Sequence, residues 1–235
     1  LKEMFNVNVV YPKDGEIAEL AQNVTEQEIE AEKEKNKNDF KFFGEFDDEI
    51  YNNSVKADLA LKKWIEKNNL QAFTINFRAI GELPTMPFNG ICRAMSEQIG
   101  YAGEGDTLTA LFTGALLQGY QETSFVEIFC PDWKHDALFI SHMGEMNYAV
   151  ADGKPEFFEK EFSGNGTNPI AGAAAFEPGK AVFVNIYEDD KGFHALITPV
   201  EVLQETTGNF AKNVRGWLKF SKPIPVVLEK ISEYG

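Results

Sequence analysis

The chain has 235 residues, 43% of them hydrophobic and 25% charged, which is enough for one large domain or two small ones with a sizeable core. No run of about 18 apolar residues occurs, which excludes a transmembrane helix. The formal net charge of −15 disfavours nucleic acid as a partner, because the phosphates carry the same sign. With only two cysteines and no signal peptide, we expect a cytoplasmic protein without membrane contact.

The first 122 residues predict a helix-rich segment. Val7–Tyr11 has the pattern of a short strand, closed by Pro12. Thr25 and Glu28 have the spacing of a capping box, which predicts a charged helix that runs to about Asn36. Three more helices are predicted at about 54–68, 90–99 and 107–118, and one more strand at 72–77.

Beyond Thr123 the pattern changes to short strands separated by turn signals such as Asp152-Gly153. Seven strands at this spacing favour an antiparallel barrel or sandwich. We therefore predict an α+β chain in which a helix-rich α/β segment, residues 1–122, precedes an antiparallel β domain, residues 123–235. The predicted strands are 124–129, 137–142, 157–162, 181–187, 194–202, 216–220 and 225–231.

A carboxylate lies between two glycines just before one of the predicted helices. Glu104 is flanked by Gly103 and Gly105, and Asp106 can cap the helix that follows. Glycine permits positive φ and lets a backbone approach a ligand closely. Because a glycine-flanked loop offers Glu104 no apolar wall, the residue is either a ligand-binding carboxylate or part of a solvent-exposed turn.

A second carboxylate, Glu127, lies within an otherwise apolar predicted strand. A lone buried carboxylate is unfavourable, so it needs a partner or a metal ion. The next strand ends at His142, and a symmetric hairpin over Asp132–Asp136 would pair Glu127 directly with His142, with Cβ atoms about 4.5–5.5 Å apart. A slip of one residue would put the two side chains on opposite faces. The pair is therefore either part of a metal site or a buried ion pair.

Together, Glu104, Glu127 and His142 would form a site rich in oxygen donors. Such a donor set suits Mn²⁺, Co²⁺ or Mg²⁺ better than an ion that prefers thiolates. Metal-dependent hydrolysis, for example at a zinc ion, also uses glutamate and histidine ligands. The sequence contains neither a Gly-x-Ser-x-Gly nor a His-Glu-x-x-His motif, which disfavours a hydrolase.

The chain contains three segments in the order GYAGEGD, which precedes a predicted helix, then TSFVEIF, then LFISHMGE. Together they resemble the metal-binding region of the L-arabinose isomerases, within the L-fucose isomerase-like sugar isomerases. The similarity is dense over about residues 70–150. It implies that Glu104, Glu127 and His142 are metal ligands and that Mn²⁺ is the preferred ion. It also implies aldose–ketose isomerisation of a pentose or hexose, in which Glu104 and Glu127 share the proton transfer, and a homo-oligomer for the full-length protein.

The chain departs from the family pattern in one respect. The family has a fourth metal ligand in a His-His pair near the end of its last domain, and no such pair occurs here. His135 reads as a turn residue, His194 as an ordinary strand residue and Glu145 as a residue at the rim of the site. We therefore expect the C-terminal portion of a longer isomerase, inactive or nearly so alone. The alternative is a noncatalytic carbohydrate-binding or interaction domain with the same fold.

Overall fold

A computed structural model describes residues 2–80, 82–162, 166–206, 208 and 210–234. The helices are α1 (Lys2–Phe5), α2 (Glu16–Gln22), α3 (Glu26–Asp39), α4 (Asp48–Asn68), α5 (Phe88–Ser96), α6 (Thr107–Leu117) and α7 (Ile224–Tyr234). The strands are β1 (Lys41–Phe42), β2 (Ala72–Ile75), β3 (Gly100–Gly103), β4 (Glu127–Asp132), β5 (Ala137–His142), β6 (Glu156–Glu159), β7 (Ile170–Ala173), β8 (Gly179–Asp189), β9 (Gly192–Val202) and β10 (Val214–Phe220). Short 3₁₀ helices lie at Phe77–Ala79 and Tyr148–Val150.

The two longest helices begin at side chains that cap them. The predicted capping box is confirmed: the backbone N–H of Glu28 donates to Thr25 Oγ1 over 3.3 Å, and that of Thr25 donates to the Glu28 carboxylate over 2.8 Å. Asp47 caps α4, because its carboxylate accepts from two backbone N–H groups of the first turn. This cap starts α4 earlier than predicted, and Asn69 ends it in the left-handed conformation.

One predicted strand in the first half is wrong. Val7–Tyr11 has no regular structure, and its side chains are largely exposed, 80% in the case of Tyr11. No strand of the described residues pairs with it, so the β-branched side chains have no pleated surface on which to pack. Conversely, β3 and β7 were not predicted, because the small residues of GYAG and IAGA carry little strand signal.

The predicted strand at 225–231 is also wrong, because this segment belongs to helix α7. Ile224 is fully buried, and Leu228 and Ile231 pack against the same core, so the apolar residues recur at helical spacing along one face. The backbone N–H of Ile224 donates to Asp136 Oδ1 over 2.8 Å, which fixes the start of the helix to the β4–β5 turn.

The strands form three sheets, and the α+β class is confirmed. The largest is antiparallel with the order β4-β5-β10-β9-β8, beside a three-stranded sheet β1-β6-β7 and a parallel pair β2-β3. Over the described ranges the five-stranded sheet is open, with β4 and β8 at its edges, so the closed barrel, one of the two predicted architectures, does not form.

The described residues form three hydrophobic cores. The first lies under the five-stranded sheet and α7, the second among α4, α5, β2, β3, β6 and β7, and the third among α3, α4, β6 and β7. Gly100 of β3 lies against the backbone of Gly114 in α6 so closely that a Cβ on Gly100 would overlap it. This close approach holds α6 directly behind β3 and fixes the turn that joins them. None of the helices described has both the length and the apolar character needed to cross a membrane.

Candidate metal centre

The glycine-flanked carboxylate lies in the tight turn between β3 and α6. Glu104 and Gly105 both have left-handed backbone conformations, with φ of 60° and 91°, which glycine adopts easily and glutamate rarely. The backbone N–H of Gly105 donates to Thr74 Oγ1 over 3.0 Å, which ties the turn to β2. Asp106 caps α6 by accepting from the backbone N–H of Thr109 over 2.9 Å, as predicted. The Glu104 side chain itself is exposed.

The hairpin of β4 and β5 contains the other two predicted residues, but its register differs from the predicted one. Near the turn the strands pair symmetrically, whereas a β-bulge between Ile128 and Cys130 shifts the pairing by one residue. Glu127 therefore lies opposite Ser141, and the predicted direct pairing with His142 is wrong. The two side chains still meet, because Glu127 Oε2 lies 3.8 Å from His142 Nε2. The Glu127 side chain is 45% exposed, and that of His142 only 4%.

The His142 side chain is buried and lies against Glu145, Phe125 and Gly103. Its Nδ1 lies 2.5 Å from Glu145 Oε2, and the other oxygen of Glu145 accepts a hydrogen bond from the Tyr101 hydroxyl over 3.0 Å. The ring of Phe125 packs edge-on against the imidazole, with centroids 5.0 Å apart. On the remaining side, a Cβ at Gly103 would lie 2.9 Å from His142 Cε1, so only glycine leaves room for the ring.

The charges around His142 favour a cation. Burial lowers the pKa of His142, but the hydrogen bond with Glu145 and the negative charges of Glu145, Glu127 and Glu104 outweigh it, so the pKa is raised. Burial and the charge of Glu145 also raise the pKa of Tyr101 well above its usual value, which keeps the phenol protonated as a donor. Three carboxylates and one imidazole thus create a negative potential at the edge of the site.

The structure brings two of the three predicted ligands into contact. Glu127 and His142 are adjacent, whereas Glu104 acts on His142 through its charge and makes no hydrogen bond or ion pair within the described part of the chain. Across that part, no three His, Cys, Asp or Glu side chains are grouped closely enough to hold a metal ion. An imidazole nitrogen and a carboxylate side by side are suitable ligands for a divalent cation. The Glu104 side chain would have to turn towards them to complete the set.

The sequence prediction missed the role of Glu145, which it placed at the rim. The side chain is 2% exposed and contacts both His142 and Tyr101. The signal was present, because a histidine and a glutamate three residues apart can meet across a turn when a glycine, here Gly144, lies between them. A buried carboxylate also needs a hydrogen-bonding partner, and the phenol of Tyr101 supplies one.

The other two histidines lie outside the site, as expected. His135 is in the turn between β4 and β5, where its Nδ1 lies 2.7 Å from Asp132 Oδ2. His194 is near the start of β9, and its Nε2 lies 2.8 Å from Asp189 Oδ1. Each pairs with an aspartate close in sequence.

Comparison with known proteins matches residues 2–118 to the L-arabinose isomerase central domain. The chain is 25% identical over 240 residues to L-arabinose isomerase 2 of Bacillus licheniformis, and equally to the L-arabinose isomerase of Oceanobacillus iheyensis. Each alignment covers 92% of this chain and 51% of the relative. The L-arabinose isomerase of Leuconostoc mesenteroides is 33% identical over 120 residues, which is 48% of this chain and 25% of the relative. The chain spans about half the length of the first two relatives.

Proposed function

The chain belongs to the L-arabinose isomerase family, and on that basis we propose that it forms part of a divalent-metal-dependent aldose–ketose isomerase acting on a pentose or hexose. The observation that carries this proposal is the contact between Glu127 and the Nε2 of His142 beside the glycine-flanked Glu104. Two of the residues that the resemblance implies as ligands, taken from different strands, meet there at the edge of a buried cluster.

Glu104, Glu127 and His142 would hold the cation, with Mn²⁺ preferred and Co²⁺ or Mg²⁺ as substitutes. Carboxylate oxygens and a neutral imidazole nitrogen suit these ions. When bound, such an ion supplies electrophilic stabilisation of the negative charge that develops on the first two oxygens of the sugar. The negative potential around His142 supports cation binding at this position, because it lowers the free energy of a positive charge there.

Glu104 and Glu127 would share the proton transfer, one as base and one as acid. Isomerisation requires a base that removes a proton from C2 of the aldose and returns it to C1. Both carboxylates reach solvent, and Glu104 makes no hydrogen bond or ion pair with another described residue, so each can approach a substrate. Glu145, in contrast, is buried with both oxygens occupied, which disfavours it as the base.

The activity, substrate and assembly belong to the whole protein, because the chain spans 51% of the relatives that it matches over most of its length. We propose that the whole protein is a cytoplasmic homo-oligomer and that residues 1–235 alone turn over little or no sugar. Robust turnover of L-arabinose, or of another pentose or hexose, by this chain would contradict that part of the proposal.

Calorimetric titration with Mn²⁺ tests the metal site directly. We expect the wild-type chain to bind Mn²⁺ and Glu127→Ala to lose binding, because the substitution removes one of the two adjacent ligands. Glu201→Ala is the matched control, since it removes an exposed strand glutamate of the same sheet outside the site. Equal binding by the wild type and Glu127→Ala would contradict the proposal. So would the absence of binding by both this chain and the full-length protein.

A further inference from the structure

We propose that Glu145 and Tyr101 are positioning residues, which hold His142 in the tautomer that carries its proton on Nδ1 and leaves Nε2 free towards Glu127. The role concerns the metal-free protein, and the contacts among the buried side chains of Tyr101, His142 and Glu145 support it. It rests on the proposed function only in the use that it assigns to Nε2, namely ligation of the cation.

The hydrogen bonds around Glu145 determine where the proton lies. An ionised carboxylate can only accept, and its Oε1 already accepts from the Tyr101 hydroxyl over 3.0 Å. Its Oε2 lies 2.5 Å from His142 Nδ1, and a hydrogen bond between this nitrogen and an ionised carboxylate requires the proton on Nδ1. Tyr101 is fully buried and Glu145 nearly so, and water therefore cannot easily replace either partner.

Packing then fixes the direction of the imidazole ring. Phe125 lies edge-on against one side of it, and the backbone at Gly103 packs against another, where an added Cβ would lie 2.9 Å from Cε1. A 180° flip of the ring would put Cδ2 in place of Nδ1 and Cε1 in place of Nε2, so it would break the hydrogen bond with Glu145. Nε2 consequently points to Glu127, whose Oε2 at 3.8 Å lies beyond hydrogen-bonding distance.

The chosen tautomer matters because a protonated imidazole nitrogen has no lone pair to offer a metal ion. Without a partner at Nδ1, a neutral histidine can carry its proton on either nitrogen, and the form with the proton on Nε2 cannot bind at this position. A carboxylate at the far nitrogen selects the competent form and makes the ligand more basic, and loss of such a partner typically weakens metal affinity by about 10–100-fold.

Nitrogen-15 NMR of the imidazole rings tests the inference on the metal-free chain. The chain has three histidines, so His142 can be assigned by its absence from the spectrum of His142→Gln. At a mildly alkaline pH where the ring is neutral, we expect the Nδ1 of His142 to give the signal of a protonated nitrogen and Nε2 that of an unprotonated one. The opposite pattern in the wild type would overturn the inference, whatever any variant does.

Glu145→Met and Glu145→Gln separate positioning from mere packing. Methionine fills a similar volume but accepts no hydrogen bond from Nδ1, so we expect the proton to move to Nε2 and Mn²⁺ affinity to fall by about 10–100-fold. Glutamine retains a carbonyl acceptor, and we expect it to keep the wild-type tautomer and lose less affinity. Asp132→Ala is the control, because it removes the corresponding partner of His135 and should leave His142 unchanged. A folded Glu145→Met chain with the wild-type tautomer would overturn the inference.

The two proposals fail in different ways. A wild-type chain with the proton on Nδ1 but no Mn²⁺ binding in either this chain or the full-length protein would uphold the positioning role and refute the metal site. A chain that binds Mn²⁺ through Glu127 but carries its proton on Nε2 before binding would refute the positioning role alone.

Discussion

Asp58 should make the stability of this protein decrease as the pH rises from about 4 to about 7. Its buried carboxylate accepts hydrogen bonds from the backbone N–H of Gly90 over 2.7 Å and from Asn89 Nδ2 over 3.3 Å. Burial outweighs these hydrogen bonds and raises the pKa of Asp58 from 3.8 to about 7. The folded state therefore holds this proton more tightly than the unfolded chain does. The stability linked to it is complete below about pH 4 and is lost as the pH approaches 7.

The size of the effect follows from the two pKa values. A pKa difference from 3.8 to about 7 corresponds to a loss on the order of 4 kcal/mol in the free energy of unfolding. Asp58→Asn removes the titration but keeps the shape. The carbonyl oxygen of the new side chain can accept from the backbone N–H of Gly90. The amide group of the new side chain can donate to Asn89 Oδ1 once the side-chain amide of Asn89 rotates. Asn89 Oδ1 is buried without a hydrogen-bonding partner among the described residues. We expect the free energy of unfolding of Asp58→Asn to increase relative to that of the wild type as the pH rises. Above pH 7 the variant should be the more stable protein.

Urea unfolding at a series of pH values between 4 and 8, followed by tryptophan fluorescence, measures this difference. Trp64 lies in α4, the helix that carries Asp58. Asp48→Asn is the control, because it makes the same chemical change at an exposed position of α4. Taking the difference between each variant and the wild type cancels the other titrating groups. A constant difference between Asp58→Asn and the wild type across this range would refute the reasoning.

Three further predictions concern local geometry. Thr25→Ala removes the cap of α3 and should lower the free energy of unfolding in urea by about 1 kcal/mol, and an unchanged value would contradict the capping role. Gly100→Ala would force a Cβ into the backbone of Gly114; it should destabilise the chain by about 3 kcal/mol or more, and wild-type stability would argue against the close contact. Gly103→Ala places a Cβ 2.9 Å from His142 Cε1, so it should displace the imidazole and weaken Mn²⁺ binding in calorimetry; unchanged affinity would contradict this.

Elements determined by neighbouring residues were predictable from the sequence. The capping box of Thr25 and Glu28 fixes the start of α3 through contacts three residues apart. Strand β5 has the predicted bounds, Ala137–His142, because a continuous apolar run between turn signals has few alternatives. The candidate ligands Glu104, Glu127 and His142 were found because their types are unusual for their positions, a property that the sequence displays directly.

Features that depend on distant contacts were not predictable in the same way. The β-branched residues of 225–231 suggest a strand, but packing against the five-stranded sheet and the hydrogen bond to Asp136 favour a helix. The bulge between Ile128 and Cys130 has no sequence signal of its own, so the predicted register was off by one residue at Glu127. The partnership of Glu145 with Tyr101 joins residues 44 positions apart and appears only in the folded chain.

The contact between Gly100 and Gly114 has a consequence for the thermodynamics of ligand binding. It joins β3 to α6 on either side of Glu104, and the hydrogen bond from Gly105 to Thr74 holds the same turn from a third direction. The backbone of the turn is therefore already ordered before any ligand arrives. Binding through Glu104 would restrict only the rotamers of one side chain, an entropy loss worth about 0.5–1.5 kcal/mol. A loop that had to order its backbone as well would lose a further 1–2 kcal/mol or so for each residue.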